Sequence, residues 1–254
     1  MTNPADTMRV IVAAHKPYWM PSGSCYLPVQ VGAAAHSPIE GFQRDDEGDN
    51  ISAKNPNYCE LTGLYWAWKN LEADHLGLVH YRRHFAAGRG AKKERVANAE
   101  QLAAALKTSG IVLPKPRNYY IETNYSQYVH AHHEEDLVLT REVLSQRDPQ
   151  LVYKYDEVMK RTYGHRVNMF VMNRDLADEW CEWLFGLLFD LESRLDISSY
   201  SPNDARVFGF VAERLLDVWV EGNGLAYTEM PVTNLESQHW VKKGVSFVAR
   251  KVKG

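Results

Sequence analysis

The sequence predicts an α/β fold: a mostly parallel central sheet, covered on both faces by helices, in a single domain. Three observations predict it. The runs Val10-Ile11-Val12-Ala13-Ala14, Leu76-Gly77-Leu78-Val79 and Ile111-Val112-Leu113-Pro114 are too short for helices and too uniformly apolar for strands with one wet face. Stretches with apolar residues at helical spacing alternate with these runs. No internal repeat, low-complexity block or long linker interrupts the 254 residues, so one unit over residues 8 to 240 is expected, followed by a basic tail over 241 to 254.

Taken in order, residues 1 to 7 read as a frayed leader, and the first strand ends at His15-Lys16-Pro17, where proline stops it. Pro21, Ser22, Gly23 and Pro28 keep the next segment irregular, with Leu27 to Gly32 as a short strand or an extended pass, and residues 41 to 50 form a polar, acidic loop. Asn57 is a plausible cap with Glu60 three residues on to return the bond, and Leu61, Leu64, Tyr65, Trp68 and Leu71 then share one helical face. That helix delivers the chain into the strand before His80. Arg82, Arg83, Arg89, Lys92, Lys93 and Arg95 around Gly88 and Gly90 read as a basic, flexible loop. A helix over about 97 to 107 precedes the strand at Ile111. The segment 116 to 136, rich in Tyr, Asn and His, has no clean periodicity before a helix that begins at Asp136. A helix over 153 to 163, a strand over 167 to 172, two amphipathic helices through Leu176 to Leu191 and Val207 to Val218, and a strand over 225 to 232 complete the chain.

A net charge of −3 with a pI near 6.4 argues against a nucleic-acid partner, while leaving room for local basic patches. The three cysteines, Cys25, Cys59 and Cys181, form neither a C-x-x-C pair nor a zinc spacing and read as reduced thiols of a cytoplasmic protein. No apolar run long enough to span a bilayer and no signal-peptide pattern is present, so a cytoplasmic location is expected. The basic tail (Lys242, Lys243, Arg250, Lys251, Lys253) and the 82 to 95 segment would suit peripheral contact with an anionic membrane face. Seven Trp and fourteen Tyr are many for this length; aromatic platforms suit sugars and bases as well as cores, and core packing accounts for most of them.

Function in open α/β sheets gathers where the strands end at their carboxyl edge. His15-Lys16, His80-Tyr81-Arg82-Arg83 and the region after Met172 are expected to converge there. Arginine forks match phosphate oxygens and lysine adds a point charge, so Lys16, Arg82 and Arg83, with His15 and His80, would hold a diphosphate. Adjacent arginines on a continuing strand point to opposite faces, so both can serve one site only if the backbone turns. No Asp-x-Asp pair occurs, and Asp45-x-Glu47, Glu134-x-Asp136 and Asp190-x-Glu192 do not end buried strands. Cationic stabilisation without a metal is therefore favoured over Mn or Mg. A phosphate loop, a dinucleotide fingerprint and a G-x-S-x-G elbow are all absent from the sequence.

Asp49, Asn50, Ser52 and Asn55 are candidates to hold a ribose or base, or else ordinary turn and capping residues. Tyr125, His130, His133 and Asp136 lie in the Tyr/Asn/His-rich segment, which would suit an acceptor sugar better than a metal, since neighbouring helical residues diverge. For a general base the candidates are Glu213, which could instead pair with Arg206 or Arg214, and Asp204, which could instead be a first-turn acid stabilised by the helix dipole.

Asp49-Asn50-Ile51-Ser52-x-Lys54-Asn55, Tyr58-Cys59-Glu60-Leu61-Thr62, Tyr65-Trp66-x-Trp68-Lys69-Asn70, Gly77-Leu78-Val79-His80-Tyr81-Arg82-Arg83 and Arg206-x-Phe208-Gly209-Phe210-x-x-Glu213-Arg214-Leu215 together resemble the DUF4422 family. The resemblance runs from about Met8 to Val232. It implies a GT-A-like (Rossmann-like) glycosyltransferase of capsular or O-antigen polysaccharide synthesis. Such an enzyme would move galactose or galactofuranose from a UDP-sugar donor to a saccharide or lipid-linked acceptor. The HYRR segment would then stand where other GT-A enzymes carry metal-binding acids. The rival expectation is a non-catalytic nucleotide- or carbohydrate-binding module on the same fold.

Overall fold

A computed structural model describes residues 7 to 236, so the basic tail and the end of the expected domain lie outside the described residues. The fold is α/β, as the alternation of apolar runs and amphipathic stretches requires. Its strands are β1 (Met8–Ala14), β2 (Tyr26–Gln30), β3 (Gln43–Arg44), β4 (His75–His80), β5 (Arg83–Phe85), β6 (Ile111–Pro114), β7 (Arg117–Asn118), β8 (Tyr163–Gly164), β9 (Phe170–Asn173), β10 (Thr228–Met230) and β11 (Val232–Asn234). The helices are α1 (Asn55–Tyr58), α2 (Leu61–Asn70), α3 (Ala99–Leu106), α4 (Asn124–Val129), α5 (Glu134–Arg147), α6 (Val152–Lys160), α7 (Arg174–Glu192) and α8 (Val207–Gly222).

A nine-stranded sheet runs in the order β10-β6-β9-β4-β1-β2-β3, with β5 paired to β4 and β11, and β7 and β8 form a separate ribbon. β1 is parallel to β2 and β4, β2 to β3, and β6 to β10. Alternate residues of β1 serve opposite faces, as strand geometry demands. Ile11 and Ala13 pack into a core with α2, α5, α6, α7 and α8, while Val10, Val12 and Ala14 pack with Leu102 and Leu106 of α3. Both faces are covered, which is why these strands read as unbroken apolar runs. Gly77 eases the approach of β4 to β9, because a Cβ there would crowd the carbonyl oxygen of Phe170 at 3.0 Å.

Several local expectations are corrected. β9 is antiparallel to both β4 and β6, with His75 opposite Asn173 and Leu78 opposite Phe170. The region after Met172 therefore lies at the amino edge, and it is the approach to β9, His165 to Asn168, that reaches the carboxyl edge. The helix read as one starting at Asn57 is two, α1 and α2, broken at Cys59, whose φ of 53° and ψ of −131° no helix allows. Asn57 donates to the carbonyl of Ala205 at 2.7 Å instead of capping α2. The basic 82 to 95 segment is partly ordered: β5 pairs with β11, and Ala86 bridges to Val96. Within the 116 to 136 segment α4 forms behind a capping box of Thr123 and Ser126, and α5 begins at Glu134. The strand expected over 225 to 232 is split into β10 and β11. Cys25, Cys59 and Cys181 are all free thiols. Among the described residues no helix is long and apolar enough to cross a membrane.

Candidate active site

Parallel register brings Ala14, Gln30 and His80 to one edge of the sheet, since Ala13 lies opposite His80 and Ala14 opposite Gln30. At His80 the chain turns back on itself: His80 pairs with Arg83, with Tyr81 and Arg82 at the bend. The turn decides how the two arginines are used. Arg82 leans over the Tyr81 ring, 5.1 Å from its centroid, and pairs with Glu236 at 3.3 Å while remaining half-exposed. Arg83 turns inward, and burial followed by the Arg117 charge lowers its pKa.

Tyr81 is buried and acts as the floor of this edge. His15, Tyr18 and His80 pack against its ring at 5.4, 4.9 and 4.5 Å, and the exposed Lys16 places its ammonium 5.6 Å from the centroid. The histidines contribute no positive charge at neutral pH. Burial, then Arg82 and Arg83, lowers His80 to about 3, burial lowers His84 to about 4, and burial and Lys16 lower His15. His80 uses Nδ1 to accept the backbone N–H of Arg82 at 3.4 Å, which helps fix the bend. The expected His/Arg/Lys cationic cluster is thus an arginine and lysine cluster with neutral imidazoles between.

Near Arg83 lies Glu213 of α8, which keeps a quarter of its side-chain surface open although protein surrounds it. Burial, reinforced by the neighbouring Glu60 and opposed by Arg214, Arg83 and Arg117, raises its pKa to about 7. Its ion pair with Arg214 is long, 3.8 Å. Glu60 accepts from Asn168 at 3.0 Å, and Asn168 also donates to the carbonyl of Gly209 at 3.1 Å, tying the approach to β9 to α8. Cys59 lies beside them, with Arg206 donating to its Sγ at 3.1 Å. Burial raises the Cys59 thiol to about 11, so it is no nucleophile at neutral pH.

The other sequence candidates lie elsewhere or are already engaged. Asp49 is bonded to Asn70, the last residue of α2, at 3.2 and 2.8 Å. Ten helical residues at 1.5 Å each separate it from Glu60 by about 15 Å, so it sits toward the amino edge, away from Glu213. Asn50 closes its own turn onto Asp46 and Gly48. Ser52 is buried and donates to Asp45, and Asn55 donates to Cys59 and Thr62. Asp45, fully buried, also accepts from Gly32 N, Ala33 N and Thr62 Oγ1, so it ties the loop after β2 to α2.

Asp136 is fully buried and accepts from Tyr128 and Tyr200, each at 2.7 Å, which leaves it no role in holding an acceptor. Tyr125 donates to Glu134 at the surface, and the exposed His130 pairs at 2.6 Å with Glu122, which is buried. His133 stacks on Tyr200 at 4.1 Å. Asp204 accepts from Ser201 at 2.7 Å and pairs with His132 at 3.1 Å; these bonds lower its pKa and make it a weaker base than Glu213. His132 in turn stacks on Phe210 at 4.4 Å. Among the described residues no cluster of three or more metal-ligating side chains occurs.

Sequence reasoning missed Arg117, Glu60, Asn168, Arg166 and Arg214 as site residues. Arg117 follows the end of β6, and the strand-edge rule applied there would have found it. Arg166 and Asn168 precede an antiparallel strand, and nothing in the sequence reveals that direction.

Comparison with known proteins places this geometry. No curated protein sequence matches the chain at a significant level. The chain is similar to a solved structure described as the WbbM bifunctional glycosyltransferase in its apo form. The match has a TM-score of 0.83 and 28% identity and covers 91% of this chain and 46% of that one. The present chain thus spans about half the length of that protein. The profile of DUF4422, a domain of unknown function, matches residues 9–224, and the chain belongs to that family.

Proposed function

We propose that the chain is a glycosyltransferase that transfers a sugar, galactose or galactofuranose, from a UDP-sugar to a saccharide or lipid-linked acceptor at the cytoplasmic face. The observation that carries this reading is the closeness of a carboxylate poised near neutrality, Glu213, to the arginines Arg83 and Arg117 at the carboxyl edge of the sheet. Glu213 takes the proton from the acceptor hydroxyl as the new bond to the anomeric carbon forms. The bond from that carbon to the diphosphate breaks, and its electron pair leaves with UDP. Arg83, with Arg117 and Lys16, meets the charge that develops on the departing oxygen. With Glu213 as the base, the proposed transfer is a direct displacement with inversion. The bend at His80 presents cations where a metal-bridged diphosphate would otherwise be held, so the transfer is proposed to need neither Mn nor Mg.

The likeness to a glycosyltransferase over most of this chain supports the reaction class. The test is a panel of nucleotide sugars scored for UDP release with and without EDTA. Release from a UDP-hexose that is insensitive to EDTA is expected. Binding of UDP without turnover of any donor would identify a binding module instead, and activity restored only by Mn would refute the cationic mechanism.

A further inference from the structure

The displacement just described makes no use of Arg166 and Arg214, which are only 4% and 5% exposed. Both donate to a single neutral acceptor, Gln127 Oε1, each at 2.9 Å, and Arg214 also donates to the carbonyl of Phe210 at 2.7 Å. Nε and Nη2 of Arg166 and Nε of Arg214 are buried with no partner. No ion pair to Arg166 forms among the described residues, and the nearest to Arg214 is the 3.8 Å contact with Glu213. Two like charges held together on one amide oxygen, with unmet donors, is an arrangement that folding alone disfavours.

The geometry of the unmet donors is informative. Nε and Nη2 form one edge of the guanidinium, the edge that grips two oxygens of a carboxylate or phosphate in parallel. That whole edge of Arg166 is free of partners. The face of the same guanidinium is covered by the ring of Tyr119, 3.8 Å away. Tyr119 belongs to the segment after β7 whose next residues are exposed, Tyr120 by 82% and Ile121 by 64%, and Tyr120 holds a φ of 60°. The cover on Arg166 is therefore one side chain on a strained, solvent-facing loop, and a rotamer change of that ring is a fast, small motion, whereas Arg214 lies against the buried Tyr128 ring. Two carboxylates lie near Arg166, Glu213 and Asp217, and Glu213 also lies near Arg83.

We propose that Arg166 and Arg214 form a second anion subsite, gated by Tyr119, that takes a phosphate or carboxylate group carried by the acceptor. The subsite stands on the unmet donors; its assignment to the acceptor rests on the transferase reading above. With Glu213 adjoining it, an acceptor anchored by its anion would have a hydroxyl within reach of the base.

Calorimetric titration tests this with the full chain saturated with UDP, using inorganic pyrophosphate in one arm and glucuronate in the other. One equivalent of one anion is expected to bind, and which one binds tells phosphate from carboxylate. Arg166→Gln should weaken that binding at least tenfold while UDP affinity stays within twofold. Tyr119→Ala, in an exposed loop, should bind the anion at least as tightly as the parent. The proposal is overturned if neither anion binds the UDP-loaded chain, if Arg166→Gln binds as the parent does, or if it loses UDP in equal measure. Should Arg166→Gln not fold, a tenfold loss in Tyr119→Ala overturns it. Failure of UDP to bind would count against the donor reading alone, because the same titration without UDP still reports on the arginine pair.

Discussion

Replacing Glu213 by Gln should make the protein more stable above neutral pH and almost inactive, and the two effects share one cause. The carboxyl is raised from 4.5 to about 7, chiefly by burial, and that value already includes the opposing pull of Arg214, Arg83 and Arg117. At 1.36 kcal/mol per pH unit the displacement corresponds to roughly 3 kcal/mol between the two protonation states. The folded chain holds the proton more tightly than the unfolded chain. Stability from this group is therefore full below about pH 4.5, declines through the window up to about 7, and is gone above it. Glutamine does not titrate, so Glu213→Gln should match the parent near pH 4.5 and exceed it at pH 8. The partly open side chain reduces the gain to about 1–3 kcal/mol, or roughly 2 to 10 °C in Tm. Turnover should fall by about 10² to 10⁴, the usual contribution of a general base. The assays are thermal melts from pH 4.5 to 8.5 and UDP release over the same range, where the parent's kcat/KM should rise with pH through about 7. A Tm difference independent of pH, or a variant within tenfold of parental turnover, would refute the reasoning.

Arg83→Ala should reduce kcat at least tenfold more than it weakens UDP binding, because leaving-group charge grows in the transition state. Arg82→Ala, whose guanidinium is half-exposed and shared with Glu236, should cost less; equal effects in steady-state kinetics would contradict the inward and outward assignment. Cys59→Gly should raise Tm by relieving about 1–3 kcal/mol of backbone strain at a φ and ψ natural to glycine, and a lower Tm would show that the Arg206 contact outweighs the strain. Asp45→Ala should destabilise by about 3–5 kcal/mol in chemical denaturation, since it strands buried donors from Gly32, Ala33, Ser52 and Thr62, and a loss under 1 kcal/mol would contradict that account.

The fold class was legible because buried strands carry a composition signal: β1, β4 and β6 read as unbroken apolar runs, and α7 and α8 as apolar stripes. Direction is not encoded that way. β9 has the same residue types whether it runs with its neighbours or against them, so the sequence placed the wrong end of it at the site. The DUF4422 resemblance was legible from joint motifs, and the matched residues 9–224 bear it out. The candidate site divided by residue type. The carboxyl-edge rule and a motif-bearing helix named Glu213, Arg83 and Lys16 from sequence, and their roles are the proposal made above. Asp49, Ser52, Asn55 and Asp136 were not, since a small polar side chain that caps a turn and one that binds a sugar look alike in sequence. Their partners, Asn70, Asp45, Thr62, Tyr128 and Tyr200, are distant in the chain and settle the matter only in three dimensions.

The electrostatics around Glu213 tie these results to one requirement on the ligand. Arg83, Arg117, Arg166, Arg206 and Arg214 gather around Glu60 and Glu213, and burial raises the pKa of Glu213 to about 7. The chain keeps this excess positive charge tolerable by neutral means. Imidazoles that do not ionise separate the cations at the strand edge, the Tyr81, Tyr119 and Tyr128 rings receive guanidinium or ammonium groups on their faces, and one glutamine oxygen serves two arginines. Each device is weaker than a carboxylate partner, and none of them would be displaced at great cost. Under the proposed function such an arrangement suits anions, because the folded chain leaves them the strongest positions. It also predicts a direction for substrate linkage: an anion entering there removes repulsion between arginines, so nucleotide and acceptor should raise stability by more than their contact areas imply.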